Sequence, residues 1–310
     1  MLLSRVADHL YWGARYMERA DDTARVVRTF TEVLLDLPTG VASSWEPLLA
    51  VAGSRLAFEA GHARANESDI VRFLVADQAN LGSVVSSVAL ARENLRTTRE
   101  ILPREAWQAV NDLYLFTARD AESGVDRRTR SRFLTRVISD HQRVDGVLSG
   151  GMRRDEAYEM WRLGQSIERA DMTTRVLGVR AAALLSAPEE TDDYDEVQWM
   201  GVLRSLSALQ MYQRATRGPI DGGGVVSFLL FDEYFPRSVA GCVRRIREAL
   251  RRLPSTSRTE PSVEQLADAL ARLRTDASDG ASLDAAMDEL QVCLGELDLT
   301  VHATFVSGAE

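Results

Sequence analysis

The chain holds 310 residues, 45% of them hydrophobic and 27% charged, with a formal net charge of −9. That length and apolar share suffice to bury a core, while the acidic balance argues against a nucleic-acid-binding surface, since gripping phosphates calls for a basic patch. No run of eighteen apolar residues is present to span a membrane, and Cys242 and Cys293 lie too far apart to share a metal.

The N-terminus leads into a charged, aromatic helix rather than an apolar signal core, which together with the sparse cysteines points to the cytoplasm. Residues 10–26 read LYWGARYMERADDTARV, and with Val27 they place Gly13, Met17, Ala20 and Ala24 at spacings of four and three, the mark of one buried helix face. Breaks follow at Leu37–Gly40 and at Gly61–Ser68, enclosing the block WEPLLAVAGSRLAFEA at 45–60. Residues 73–84, FLVADQANLGSV, put Asp77 where a helix gives way to a turn and Asn80 where the next helix would start. Further breaks are expected at Glu122-Ser123-Gly124 and at Ser149-Gly150-Gly151, the latter being the hinge between halves.

The second half then repeats the first. MWRLGQSIERADMTTRV at 160–176 superposes on 10–26 at a shift of 150, bringing Glu168, Arg169, Ala170 and Asp171 onto Glu18, Arg19, Ala20 and Asp21. Residues 199–214 match 45–60 at a shift of 154, and FLLFDEYFPRSV at 228–239 matches 73–84 at 155, with Asp232 on Asp77 and Pro236 at a helix start. Three blocks in one order at nearly constant shift are an internal duplication. The expected architecture is all-α: a helical bundle of two tandem, pseudo-symmetric repeats, 1–150 and 151–310, with roughly five or six helices each, packed as one globular unit. Glu189–Asp193 reads as a surface loop, and Gly222-Gly223-Gly224, lacking the lysine and spacing of a phosphate-binding loop, as a plain loop.

The Glu-Arg-Ala-Asp helices carry the candidate site. On a helical wheel Leu163, Ile167, Ala170 and Thr174 share one face, and Trp161, Met172, Val176 and Val179 another. Between them runs the row Gly164, Glu168, Asp171, Arg175, matched in the first copy by Ala14, Glu18, Asp21, Arg25. A charged row flanked by apolar faces must be partly buried, where carboxylates require partners. In a structural reading Asp21–Arg25 and Asp171–Arg175 are i,i+4 ion pairs, and Glu18 and Glu168 anchor neighbouring helices. In a functional reading the two rows face one cavity and their carboxylates meet a cation or a cationic ligand, with the small residue before each row admitting a backbone or a ligand. Oxygen-only ligation would suit a hard ion such as Mg²⁺, but carboxylate bundle sites usually add a histidine at i+3 and none occurs; no metal and no cofactor is expected. His9, His62, His141 and His302 form no metal-binding pair, Asp77 and Asp232 are secondary candidates best explained by turn chemistry, and the arginines of Arg244–Arg247 and Arg251-Arg252 read as a solvated helix face open to anionic partners.

The stretches LSRVADHLYWGARYMERADDTARVV, MWRLGQSIERADMTTRVLGV and FLLFDEYFPRSV resemble the alpha-E family of bacterial helical proteins over nearly the full chain. One departure is local: the family carries glycine directly before Arg15, where this chain has Ala14 after Gly13. The resemblance implies association with circularly permuted ATP-grasp proteins and transglutaminase-like peptidases, in a system that makes, modifies or trims peptides or amides. ATP would then enter only through the ATP-grasp partner, and the chain would be a binding and assembly module with a possible peptide substrate. The alternative is an enzyme using Glu18 or Glu168 as a general acid/base, which needs an open cleft and a tuned carboxylate, whereas a module needs an exposed docking face.

Overall fold

A 33-residue helix opens the structure because its sequence offers nothing to stop it. Helix α1, Ser4–Asp36, holds no proline and a single glycine, and at 1.5 Å per residue it runs about 50 Å. The computed structural model describes residues 2–36, 44–62, 64–186, 195–254, 256–276 and 280–306. The expected break at Leu37–Gly40 and the expected surface loop at Glu189–Asp193 lie outside the described residues.

Helices α2 (Glu46–Val51), α3 (Arg55–Glu59), α4 (Glu67–Val75), α5 (Val84–Thr97), α6 (Arg104–Val125) and α7 (Arg130–Gly151) complete the first half. The second half runs α8 (Glu156–Ser186), α9 (Asp195–Ser205), α10 (Leu209–Thr216), α11 (Gly222–Phe231), α12 (Val239–Leu250), a 3-10 turn at Thr256–Arg258, α13 (Glu260–Asp276) and α14 (Gly280–Phe305). The described residues are thus all-helical, with seven helices in each half rather than five or six. The surplus arises because the block at 45–60 is split at Gly53 (φ +60°) and its counterpart at Ser207 (φ +53°), two left-handed residues that the shift of 154 aligns. A left-handed residue ends a helix.

Local chemistry sets the other ends. Ser83 and Ser238 cap α5 and α12, their hydroxyls accepting from the backbone N–H of Ser86 at 3.1 Å and Gly241 at 3.0 Å, contacts typically worth about 1 kcal/mol. Asn80 and Pro236 therefore sit in the turn before each helix, three and two residues ahead of its cap. The expected loop at Gly222–Gly224 is the first turn of α11, capped by the Asp221 carboxylate. Nor does the chain break at Glu122–Gly124: α6 kinks at Asp120 and continues, and Gly124 is small because a Cβ there would lie 2.6 Å from Val75 and 2.7 Å from Phe133. Helix α7 runs through Gly150 to Gly151, so the turn between halves falls at Met152–Asp155.

Helices α1 and α8 lie side by side at the centre. Their contacts advance together, from Leu2 against Glu156 through Tyr11 against Gly164 to Arg19 against Glu168, so the two run in the same direction. Helices α5 and α7 cover α1, α12 and α14 cover α8, and α6 and α13 close the outer sides. The halves also exchange elements: α9 packs on α1, and α2 on α8. One continuous core results, in which Leu10, Met17, Ala24 and Val27 meet the same interior as Leu163, Ile167 and Leu177.

Candidate functional site

The tightest approach of the two central helices is at Gly164, where a Cβ would lie 2.4 Å from the Tyr11 carbonyl oxygen. The small residue ahead of the row thus admits a backbone rather than a ligand. One turn further on, the two rows meet. The two Glu168 oxygens accept from Arg19 Nε at 2.6 Å and from Arg15 Nε at 2.7 Å, and Glu18 Oε1 accepts from Arg169 Nε at 2.7 Å. Each Glu-Arg pair gives its glutamate to the opposite half and takes the opposite glutamate in return. Arg25 and Arg175 pair with Asp21 and Asp171 four residues back, at 2.7 and 2.8 Å. Both arginines reach the left-handed turn of the other half: Arg25 donates to the Ser207 hydroxyl, and Arg175 Nη1 lies where a Cβ on Gly53 would come within 2.4 Å.

The two rows differ in what surrounds them. Glu18, Asp21 and Asp22 are completely buried. Arg237, from the turn before α12, puts Nη2 2.6 Å from Glu18 Oε1 and 2.8 Å from Asp21 Oδ2, while its Nη1 donates to Asp22. His141 of α7 completes this cluster, Nε2 standing 3.5 Å from Glu18 and Nδ1 3.5 Å from Asp21. Glu168 is held by α1 alone. Arg15 also meets Asp298 of α14, which accepts from the Tyr11 hydroxyl, and Arg19, Asp171 and Arg175 are partly open to solvent.

Burial would push both glutamates up, but the guanidiniums win. Arg169, Arg237 and His141 hold the Glu18 carboxyl well below its usual value, and Arg19 and Arg15 bring Glu168 down to about 2. Asp22 goes the other way. Burial raises it, Arg237 offsets only part, and the neighbouring Glu18 and Asp21 charges add to the rise, leaving it at about 7. Glu18 Oε2, Asp21 Oδ1 and Asp22 Oδ2 accept no hydrogen bond among the described residues, so one oxygen of each acid is left without a donor, which favours the protonated form of Asp22. His141, which burial alone would discharge, is raised by Asp21 and Glu18.

Donor atoms of Glu18, Asp21 and His141 lie within 4.8 Å of one another, the spacing a metal ion would need. The histidine that the sequence spacing lacks is supplied from α7. Arg25, Arg169 and Arg237, however, already pair with these acids, and Arg237 bridges Glu18, Asp21 and Asp22. A divalent cation would have to displace a guanidinium. The rows thus meet as a filled ion network rather than across a cavity.

The secondary candidates make turns: Asp77 accepts from the Ala79 N–H, and Asp232 from those of Tyr234 and Phe235. Neither bonds to the rows. Sequence reasoning missed His141, Arg237, Asp22, Arg15 and Asp298. His141 carried a signal, since it interrupts the apolar stripe Leu134, Val137, Ile138, Val144, Leu148 of α7, and a polar residue on a buried face needs a partner. Arg237 carried another, for in the aligned blocks it stands where the first has Gly82, directly before the matching Ser-Val. Away from the rows, the arginines of α12 line an open groove of about 380 Å³ beside α13.

The chain matches the Alpha-E family, described as "a predicted alpha-helical domain with a conserved ER motif", over residues 2–306. It is 25% identical over 324 aligned positions to the uncharacterized protein Mb2597 of Mycobacterium bovis, and 24% identical to the uncharacterized protein Rv2567 of Mycobacterium tuberculosis. Each alignment takes in 97% of this chain and 35% of the relative, so the chain spans about a third of the length of the curated relatives it matches. No solved structure matches it. The Glu-Arg pair named in the family's description is the one that here trades partners at the crossing of α1 and α8, and the chain belongs to the Alpha-E family.

Proposed function

We propose that the chain is a non-catalytic binding and assembly module, two tandem repeats packed as one unit, serving a system in which an ATP-grasp ligase makes or modifies a peptide or amide. The observation that carries this reading is the exchange at the centre: Glu18 and Glu168 are buried and neutralised by arginines of the opposite half, so the motif is spent on holding the halves together. General acid–base catalysis by either glutamate finds no support in that geometry. A base needs a pKa near the working pH and access to substrate, and both carboxyls are held low and sealed. The length of the relatives supports a module that accompanies other protein segments. A circularly permuted ATP-grasp protein and a transglutaminase-like protein are the partners proposed, from the family resemblance, with ATP bound only by the former.

The test is capture of the tagged full chain from its native cells, with mass spectrometry of what is retained. Recovery of an ATP-grasp protein, lost again when the bait is unfolded, is the expected result. Failure to recover one at endogenous expression would overturn the proposal.

A further inference from the structure

The groove beside α12 has an apolar floor, with Val243 and Leu270 buried beneath it and Ala267 and Ala271 on the α13 side. Its rim is basic. Arg244, Arg247 and Arg251 recur at spacings of three and four and so form one stripe along α12, and Arg274 joins them from α13, against only Glu233 and Glu248. Arg251 makes no ion pair among the described residues, and Arg247 meets only the half-exposed Glu264. A smaller hollow of about 80 Å³, sharing Arg247 and Arg251, continues the groove toward Val263. From Ala240 to Arg251 the trough follows about three turns of helix, roughly 16 Å.

The first half shows what such a face carries when it is covered. The shift of 155 aligns Arg92 of α5 with Arg247. Arg92 donates to Asn111 at 2.9 Å and lies 4.6 Å from the ring centre of Tyr114 and 5.7 Å from that of Trp107, all on α6. Helix α13, in the place of α6, has no aromatic residue at all. The second half therefore leaves Arg247 without the two rings that cover Arg92 in the first.

We infer that this trough receives an amphipathic helix of a partner polypeptide. Its large apolar side chains, aromatic ones above all, enter the floor, and its Asp or Glu residues at i, i+3 and i+7 pair with Arg244, Arg247 and Arg251. Taking a polypeptide as the occupant rests on the module reading; the acidic, aromatic character of its face rests on the groove itself.

The probe is a fluorescein-labelled designed helix of about 16 residues, roughly 24 Å, which overhangs the trough by about a turn, with Trp and Leu on one face and Glu at i, i+3 and i+7 beside it. A second peptide carries Lys for each Glu. Fluorescence anisotropy at about 0.15 M salt should show saturable binding of the acidic peptide, and binding of the lysine peptide at least about tenfold weaker, a gap of about 1.4 kcal/mol. R247E/R251E should weaken the acidic peptide by a similar factor. Ala271→Trp, which fills the groove from an exposed position, should block it while leaving thermal unfolding unchanged. The inference is overturned if the acidic peptide does not saturate, if both peptides bind alike, or if neither variant matters. Sedimentation of the chain alone covers the remaining occupant: dimerisation abolished by R247E/R251E would assign the groove to a second copy and overturn the inference. The two proposals fail separately. Recovery of an ATP-grasp protein without peptide binding removes the groove assignment alone, and peptide binding through Arg247 and Arg251 without such recovery removes the ligase association alone.

Discussion

Glu18 and Glu168 hold the same place in aligned blocks, yet they are neutralised in different ways. Glu168 sits between two arginines of one helix, and of these groups it is the Arg19 side chain, not the carboxylate, that reaches water. Glu18 lies in a sealed cluster fed by α8, by α7 and by the turn before α12, with two further acids beside it. Two positions of the aligned blocks stand out. Where the first copy has Asp22 the second has Met172, and where the first has Gly82 the second has Arg237. Asp22 and Arg237 pair with each other, so the sealed cluster contains one extra buried acid and one extra buried base. A buried charge is tolerated when its partner arrives with it, and removing one alone is what destabilises.

The comparison is broken most directly at Arg237. Arg237→Ala leaves three buried acids short of a counter-charge and should cost about 3–5 kcal/mol in urea unfolding. Adding Asp22→Ala should recover part of that loss; if Arg237→Ala costs no more than Arg19→Ala, the sealed and open rows are equivalent after all. Next comes the crossing on which both rows depend. Gly164→Ala drives a Cβ into the Tyr11 carbonyl and should cost about 1–3 kcal/mol, read as a lower urea midpoint with an unchanged slope.

Acidity sharpens the contrast, because Asp22, present only in the sealed cluster, responds with the opposite sign to Glu168. Asp22 is raised from 3.8 to about 7, so the folded chain keeps a proton that the unfolded chain releases. Its contribution is complete below pH 4 and is lost as pH rises through 7, by up to about 1.4 kcal/mol per pH unit. Glu168 is lowered to about 2 from 4.5, so its contribution is present above pH 4.5 and is lost as pH falls toward 2. Asp22→Asn should flatten the upper limb of the stability–pH curve and Glu168→Gln the lower limb; the reverse assignment would refute the contrast. The smallest effects belong to the open row and to the turn that Arg25 reaches. Arg19→Ala should cost about 1–3 kcal/mol, less than Arg237→Ala, since Arg15 still faces Glu168. Ser207→Gly should be near neutral, relief of its left-handed backbone offsetting the hydroxyl that accepts from Arg25.

Periodicity exposed the helices because they are written in local spacing. The i,i+4 pairs Asp21–Arg25 and Asp171–Arg175 were legible for the same reason. The cluster around Glu18 was not, because His141 and Arg237 lie more than a hundred residues from it and only packing brings them together. The helix count erred where a left-handed Ser207 ended a helix, a conformation Ser rarely adopts and composition does not announce.

The exchange of Glu-Arg pairs has a consequence for how the chain comes to be. Glu18 waits for a counter-charge about 150 residues further along the sequence, which on a ribosome moving at roughly 5–20 residues per second is a delay of roughly 8–30 s. Until α8 emerges, α1 has no cation for Glu18 and no close neighbour along its Tyr11 face. A fragment ending at Gly151 should therefore remain unfolded alone and fold on mixing with a fragment beginning at Met152. Cooperativity is then a property of the pair of halves, and synthesis order leaves the first half dependent on the last residues of the crossing.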